Sequence, residues 1–375
     1  MRALRIGALA TVIALALVAL PQAGAASAVG SGASVVGAVF DMTNNATHNQ
    51  VVVYDRWSGG ALTWAGSYAT GGTGTGGSLA DQGSLAVSSD GRWLLAVDAG
   101  SNQISVFRVH LPFGGGPDSL TLTDVVSSRG AVPVSVSAFG NLVYVLNVGN
   151  STTPGNIAGF VLWGPGHLAP VGGSIRPLST SAATAAAQIS FSPSGEFLVV
   201  SEKNTNLLDV YAVHGFGGAS GPTSFRSAGT TPYGFAFDHA GRLYVSEAST
   251  GSVSSYALGW FGKLHVISGA VPDTQGAPCW VVVSAGVVYT SNAHSNSISS
   301  YQVGPRGTLT LLHAVAGSTD GSPTDMALAD HGRVLYVFDA GAREIQAFGV
   351  NPGGTLTWLE TVGGLPASSE GLVAL

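Results

Sequence analysis

Leu243-Tyr244-Val245-Ser246-Glu247, a polar turn, then Val253-Ser254-Ser255-Tyr256: this stretch decides the fold, because it recurs along the chain. Each copy has a short apolar strand ending in Asn, Asp or Glu and a second strand ending in Tyr or Phe. Upstream copies are Leu94 to Asp98 with Ile104 to Phe107, Val143 to Asn147 with Ile157 to Phe160, and Leu198 to Glu202 with Leu208 to Tyr211. Downstream copies are Val288 to Asn292 with Ile298 to Tyr301, and Leu335 to Asp339 with Ile345 to Phe348. A seventh, Val39-Phe40 with Asn44 or Asn45 and then Val51 to Tyr54, comes first in the chain.

Two further strands complete each unit. An apolar strand and a Gly-bearing hairpin turn precede the pattern, as in Ser84 to Gly91 and Gln188 to Gly195. A Gly-rich connection and a fourth strand follow it, as in Gly307-Thr308-Leu309-Thr310-Leu311. The markers Asp98, Asn147, Glu202, Glu247, Asn292 and Asp339 stand 45 to 55 residues apart. Four strands at that period predict an all-β fold: a single seven-bladed β-propeller of four-stranded antiparallel blades. No segment beyond the first residues keeps a 3.6-residue apolar period, so helices should be rare. The first unit lacks a leading strand, and Gly371-Leu372-Val373-Ala374-Leu375 is a leading strand without a unit. Pairing the N- and C-terminal strands closes the ring and removes an exposed sheet edge.

Residues 1–25 read as a secretory signal peptide. Arg2 and Arg5 precede the uncharged run Ile6 to Leu20, then Pro21 and the small residues Ala23-Gly24-Ala25. The run is shorter than the ~20 apolar residues of a membrane span. The expected product is a secreted, extracellular domain over 26–375 without a membrane span. Twelve Arg against two Lys, with heavy use of Ala and Gly, point to a bacterial gene of high GC content. Without the leader the net charge falls from −6 to about −8. Charged residues are 9% of the chain and form no basic cluster, which excludes a nucleic-acid groove. The single cysteine, Cys279, lies in an apolar strand and reads as a buried, inert thiol.

Several motifs fail on context. Gly72-Thr73-Gly74-Thr75-Gly76-Gly77 fits G-x-G-x-x-G but leads into a strand rather than a helix, so it reads as a flexible interblade loop. The histidines show no metal-ligand spacing; His167, His214 and His265 lie in outer strands or connections and read as solvent-facing. No cofactor is expected. Calcium, held by carboxylates and amides at the channel mouth, is the alternative.

Propeller geometry places a ligand site where inner strands begin and second strands end. Gln188, Trp280 and Asp325 open inner strands; Asn147 and Asn292 end second strands; Arg176 and Lys203 are cations within reach. These are the expected ligand-binding residues. Asn or Asp at a strand end accepts hydrogen bonds from the following turn, a structural job. Glu suits that job poorly, so Glu202 and Glu247 are the candidate catalytic pair, one raised carboxyl acting as acid and the other as base.

The pattern resembles the lactonase family of seven-bladed propellers, which includes bacterial phosphogluconolactonases and fungal carboxymuconate-cyclising enzymes. The resemblance is carried by Ser192-Pro193-Ser194-Gly195, Leu243 to Glu247, and Pro323 with Met326-Ala327-Leu328. It implies hydrolysis of a lactone or other cyclic ester at the channel mouth. In that family an inner strand opens Gly-Pro-Arg-His and the next strand ends Asn-Glu. Here Ala185-Ala186-Ala187-Gln188 and Ser201-Glu202 hold those places, and Ser135 stands where the preceding blade carries a His. The Glu is kept; the Arg and His are not. The alternative is a monomeric, non-catalytic propeller binding a sugar-like molecule, a peptide or a protein partner.

Overall fold

The computed structural model describes residues 33–111 and 117–375. The expected leader, residues 1–25, lies outside them. The described chain forms seven antiparallel sheets. From the inner to the outer strand, blade 1 is Glu370–Ala374, Val35–Met42, Gln50–Trp57 and Leu62–Ala69. Blade 2 is Leu85–Val87, Trp93–Asp98, Gln103–His110 and Ser119–Ser127. Blade 3 is Pro133–Phe139, Leu142–Asn147, Asn156–Trp163 and an outer strand split into His167–Pro170 and Arg176–Pro177. Blade 4 is Ala186–Phe191, Phe197–Glu202, Leu207–Val213 and Ala219–Arg226. Blade 5 is Pro232–Phe237, Arg242–Glu247, Ser252–Leu258 and Leu264–Pro272. Blade 6 is Pro278–Ser284, Val287–Asn292, Ser297–Val303 and Leu309–Ser318. Blade 7 is Pro323–Ala329, Val334–Asp339, Glu344–Val350 and Leu356–Gly363. Among the described residues the helical segments are four three-residue 3₁₀ turns.

Closure follows the expected pairing. Val39 lies opposite Ala374, Phe40 opposite Val373 and Asp41 opposite Leu372. Ala38 and Leu375 exchange backbone hydrogen bonds of 3.2 and 2.8 Å, and Arg56 Nε donates to the Leu375 carbonyl at 2.9 Å. The last strand is therefore the innermost strand of the first blade.

The repeated apolar positions build the cores between blades. The aromatic ending each third strand (Tyr54, Phe107, Phe160, Tyr211, Tyr256, Tyr301, Phe348) is buried. Apolar clusters join neighbouring blades around the ring, the blade 7–1 junction included, where Tyr336 and Phe338 pack with Val39 and Tyr54. Buried tyrosine hydroxyls reach across blades: Tyr144 donates to the Gly217 carbonyl at 2.7 Å and Tyr336 to that of Gly60 at 2.8 Å. Hairpin glycines such as Gly91 (φ 69°) and Gly195 (φ 73°) take the left-handed conformation that such turns require.

Candidate functional site

All six marker residues at the second-strand ends are fully buried. Most of them grip the connection that enters their own blade. Asp98 accepts from Thr70 Oγ1 at 2.6 Å and Asn49 Nδ2 at 2.9 Å. Asn147 donates to the Ser128 carbonyl at 3.1 Å, and Asp339 accepts from Asp320 N at 2.9 Å. Glu202 accepts from Ser179 N at 3.0 Å, from the Ser179 hydroxyl and from Thr205 Oγ1 at 2.7 Å. Glu247 accepts from Gly229 N at 2.6 Å, Ser227 Oγ at 2.8 Å, Ser254 Oγ at 2.8 Å and Ser252 Oγ at 2.9 Å. Asn292 turns to its own blade, donating to Ser299 Oγ at 2.8 Å. A glycine often lets the connection close down: a Cβ on Gly72, Gly130 or Gly229 would stand 2.5, 2.5 or 2.2 Å from the side chain of Asp98, Asn147 or Glu247.

This corrects the expected placement of the two glutamates. They do not share a site at the mouth. Glu202 acts on Asp209 and Tyr211, and Glu247 on Tyr256 and Tyr301, each within its own part of the ring. Their extra methylene reaches a connection that Asp reaches in other blades. The first-blade marker is also corrected. Thr43, not Asn44 or Asn45, continues the second strand, pairing with Gln50 through Thr43 N to the Gln50 carbonyl at 2.9 Å. Asn44 instead holds Thr75 and Gly77. The Gly72–Gly77 run is accordingly tied down: Gly74 N donates to Asn45 and Gly76 N to Asn44.

The mouth itself is stoppered. After Gly77 the chain does not enter blade 2 directly but crosses the axis as residues 78–83. Leu79 N donates to Glu370 Oε1 of blade 1 at 2.8 Å. Lys203 of blade 4 donates to the Ala80 carbonyl, and Trp280 Nε1 of blade 6 to that of Asp81 at 2.7 Å. Gln82 is the keystone. Its N–H donates to Ala187 of blade 4 at 3.1 Å, and its carbonyl accepts from Ser135 Oγ of blade 3 at 2.7 Å. Its side-chain amide brackets Val281 of blade 6, donating to the carbonyl at 2.9 Å and accepting from the N–H at 3.1 Å. Gly234 of blade 5 makes room, since a Cβ there would stand 2.0 Å from Gln82 Oε1.

Four buried carboxyls, Asp81 within the stopper and Asp41, Asp325 and Glu370 around it, gather there with Lys203. Burial is the chief cause of every shift here. It holds Asp41 and Asp81 well above the usual carboxylate range, reinforced by repulsion from Asp325 and Glu370, and pushes Asp325 to about 8 and Glu370 to about 7. It also lowers Lys203, which packs 4.4 Å above the Tyr233 ring, and raises Cys279 to about 12, leaving that thiol inert. Among the described residues no group of three or more His, Cys, Asp or Glu is placed to hold a metal ion.

Below the stopper the channel is a cavity of about 390 Å³ with walls that include Ala86, Val136, Ile189, Val282 and Leu328. Gln82, Gln188 and Asp325 supply polar groups to its lining. These are already engaged: Gln188 brackets Phe235 of the next blade at 2.6 and 3.0 Å, and Asp325 accepts from Met326 N at 2.7 Å and Leu372 N at 3.0 Å.

Of the residues expected from sequence, the structure thus brings Gln188 and Asp325 to one cavity and sets Lys203 and Trp280 on the stopper. Asn147, Asn292, Glu202 and Glu247 are buried within the blades. Arg176 stands at the outer edge of blade 3, donating to the neighbouring Ile175 carbonyl at 2.7 Å. Asp41, Asp81, Gln82, Tyr233 and Glu370 were missed. The legible signal was Asp81-Gln82, a polar pair where the repeat calls for a short link into an inner strand.

A closed propeller with a stoppered channel is the class that the fold defines. Residues 173–283 match the family model described as lactonase, 7-bladed beta-propeller. A putative 6-phosphogluconolactonase of Bacteroides fragilis superposes with a TM-score of 0.69 at 17% identity, over 90% of this chain and 98% of that one. A periplasmic gluconolactonase of Pseudomonas aeruginosa does so with a TM-score of 0.69 at 18% identity, over 89% and 98%. A protein from Lactobacillus plantarum reaches 0.70 at 18% identity, over 91% and 100%. The chain folds as a seven-bladed propeller, and its middle part is similar to the lactonase family of such propellers. No helix among the described residues is long and apolar enough to cross a membrane.

Proposed function

We propose that this is an exported propeller that has kept the lactonase scaffold and binds a small, mainly apolar molecule in its channel without hydrolysing it. The observation that carries the reading is the stopper. Ala187 and Gln188 stand where the resemblance puts the family's Arg and His, and Ser135 where it puts the preceding blade's His; here Ala187 and Ser135 both hold Gln82 across the mouth. The ligand would enter from the opposite face, into walls that are largely aliphatic with a few polar groups, the usual make-up of a small-molecule pocket. Thermal-shift screening of uncharged cyclic esters, sugars and terpenoid-like compounds tests it. Ligands that raise the melting temperature and survive unchanged by chromatography support binding. Turnover of any of them overturns it.

Lactone hydrolysis is the second reading, favoured by the match over 173–283, which contains both Glu202 and Glu247. It requires the connection around Ser179 to lift from Glu202 so that the carboxylate can act as general base. In a lactone panel, with and without chelator, Glu202→Gln should then lower turnover by about 10²–10⁴. Full activity in that variant removes Glu202 as the base.

A further inference from the structure

We propose that the stopper, residues 78–83, is a pH-sensitive gate that lies shut over the channel while Asp81 is protonated and lifts when Asp81 ionises. The use of the gate, access to the channel from this face, rests on the reading of the channel as a ligand site. Its motion does not, and is tested without a ligand.

Asp81 is 1% exposed, and its carboxyl oxygens find no donor beyond the residue's own N–H. A carboxylate buried in that way is far costlier than a neutral acid. The groups that face it add to the cost. Glu370 on the inner strand of blade 1 and Asp325 on that of blade 7 repel its charge, and Asp41 on the second strand of blade 1 bears on both of them. Tyr233 of blade 5 and Cys279 of blade 6 are held neutral by burial, and blade 3 meets the stopper through the uncharged Ser135. Lys203 of blade 4 is the opposing cation, but its Nζ is spent on the Ala80 carbonyl. Glu370 can accept from Leu79 N in either protonation state. Asp81 is therefore the group whose ionisation the shut stopper does not accommodate.

The segment is also built to move. Gly76 (φ 78°) and Gly77 precede it, Gly83 (φ 88°) ends it, and a Cβ on Gly77 would meet nothing. Such positions can absorb a backbone rotation at either end. Leu79 and Ala80 are its two apolar side chains, and both are partly exposed. The rest of its hold is hydrogen bonds, which water can replace, so it belongs to the low-stability end of the molecule. Lifting it has two structural consequences. Gln82 and Gly83 line the cavity of about 390 Å³, so their departure joins that cavity to the stopper face. Ala80 packs on the cluster that holds Tyr233, Cys279 and Trp280, so its departure uncovers the thiol.

A group that ionises only in the open state favours opening about tenfold for each pH unit above its ordinary pKa of about 4, until the pKa of the shut state is reached. The test is hydrogen exchange of the propeller from residue 26 onward at pH 5.5 and 7.5, with the intrinsic pH dependence of exchange divided out. Protection of the Leu79 and Gln82 amides should fall about hundredfold between the two, while the blade amides keep theirs. Asp81→Asn, neutral and of the same shape, should hold the fall below about tenfold. Labelling of Cys279 by a thiosulfonate gives a second readout. The wild-type rate divided by the Asp81→Asn rate at the same pH cancels the thiol's own titration, and this ratio should rise with pH. Wild-type protection over 78–83 that is flat between pH 5.5 and 7.5 overturns the proposal. So does a fall that Asp81→Asn leaves unchanged, or one that the blade amides share.

Discussion

Replacing Gln82 by Ala should loosen the stopper at a cost that the geometry sets. The side chain makes two hydrogen bonds, to the N–H and the carbonyl of Val281. Val281 lies on an inner strand, whose channel-facing edge has no neighbouring strand to take over. Each lost bond is worth about 0.5–1.5 kcal/mol where water can replace it, and about 1–3 kcal/mol where it cannot. Gln82 borders a cavity of about 390 Å³, so water has room to enter and the lower range applies. The expected destabilisation is about 1–3 kcal/mol, read as a lowered denaturation midpoint. Hydrogen exchange should localise it: the amides of Leu79 and Gln82, now bonded to Glu370 and Ala187, should lose protection while the blades keep theirs.

A steric variant reaches the same end from the other side. Gly234→Ala would drive a methyl into Gln82 Oε1 and should evict the side chain without deleting it. Both variants should therefore expose the same segment. If Gln82→Ala changes stability by less than about 0.5 kcal/mol and leaves exchange over 78–83 as it was, the stopper is not held as described.

Two more outcomes follow from the closure and the acid cluster. Removing residues 370–375 deletes the innermost strand of blade 1 with the partners of Val39, Phe40 and Asp41, and should lower the melting temperature drastically or prevent folding; an unchanged midpoint would sink the closure argument. Asp325 at about 8 and Glu370 at about 7 lie above their unfolded values because burial favours the neutral acid. The stability they confer is complete below about pH 4 and is lost as pH rises through 7–8, so the midpoint should fall from pH 5 to pH 8.5 and Asp325→Asn should flatten that fall.

The blades were legible because their signal is repeated and local. The strand ending in Val245-Ser246-Glu247 and the tyrosine at 256 carry the same information as their counterparts one blade on. The closing strand was legible for a related reason, since 371–375 completes a unit that begins at the other end of the chain. The stopper was hard to see because it breaks the repeat. A polar link of six residues says nothing by itself about five blades converging on it. Its anchors, Ser135, Ala187, Lys203, Trp280 and Glu370, are scattered through the sequence and join only when the ring closes. The expectation that Glu202 and Glu247 stand free at the mouth rested on a local rule. Glu is a poor cap for the turn that follows it, but here the carboxylate mostly caps the connection that precedes the strand, and longer reach helps.

The stopper and the acid cluster explain one another. Four carboxyls around one lysine cannot all be ionised where burial is so complete: Asp41 and Asp81 are held well above the usual carboxylate range, Asp325 stands at about 8 and Glu370 at about 7, so the cluster carries less than its full charge near neutral pH. A neutral carboxyl costs less to bury than a carboxylate, which eases the closing of residues 78–83, Asp81 among them, over the mouth. An Arg at 187 would bring a charge that demands ionised partners and solvent, and its side chain would compete for the space the stopper uses. A small residue at 187 and a sealed mouth therefore go together. A cation placed there should act on the stopper before it acts on any substrate: Ala187→Arg should pull the neighbouring carboxyls toward ionisation and free residues 78–83. Increased exchange over that segment, with the blades unchanged, would mark a mouth reopened rather than a fold broken.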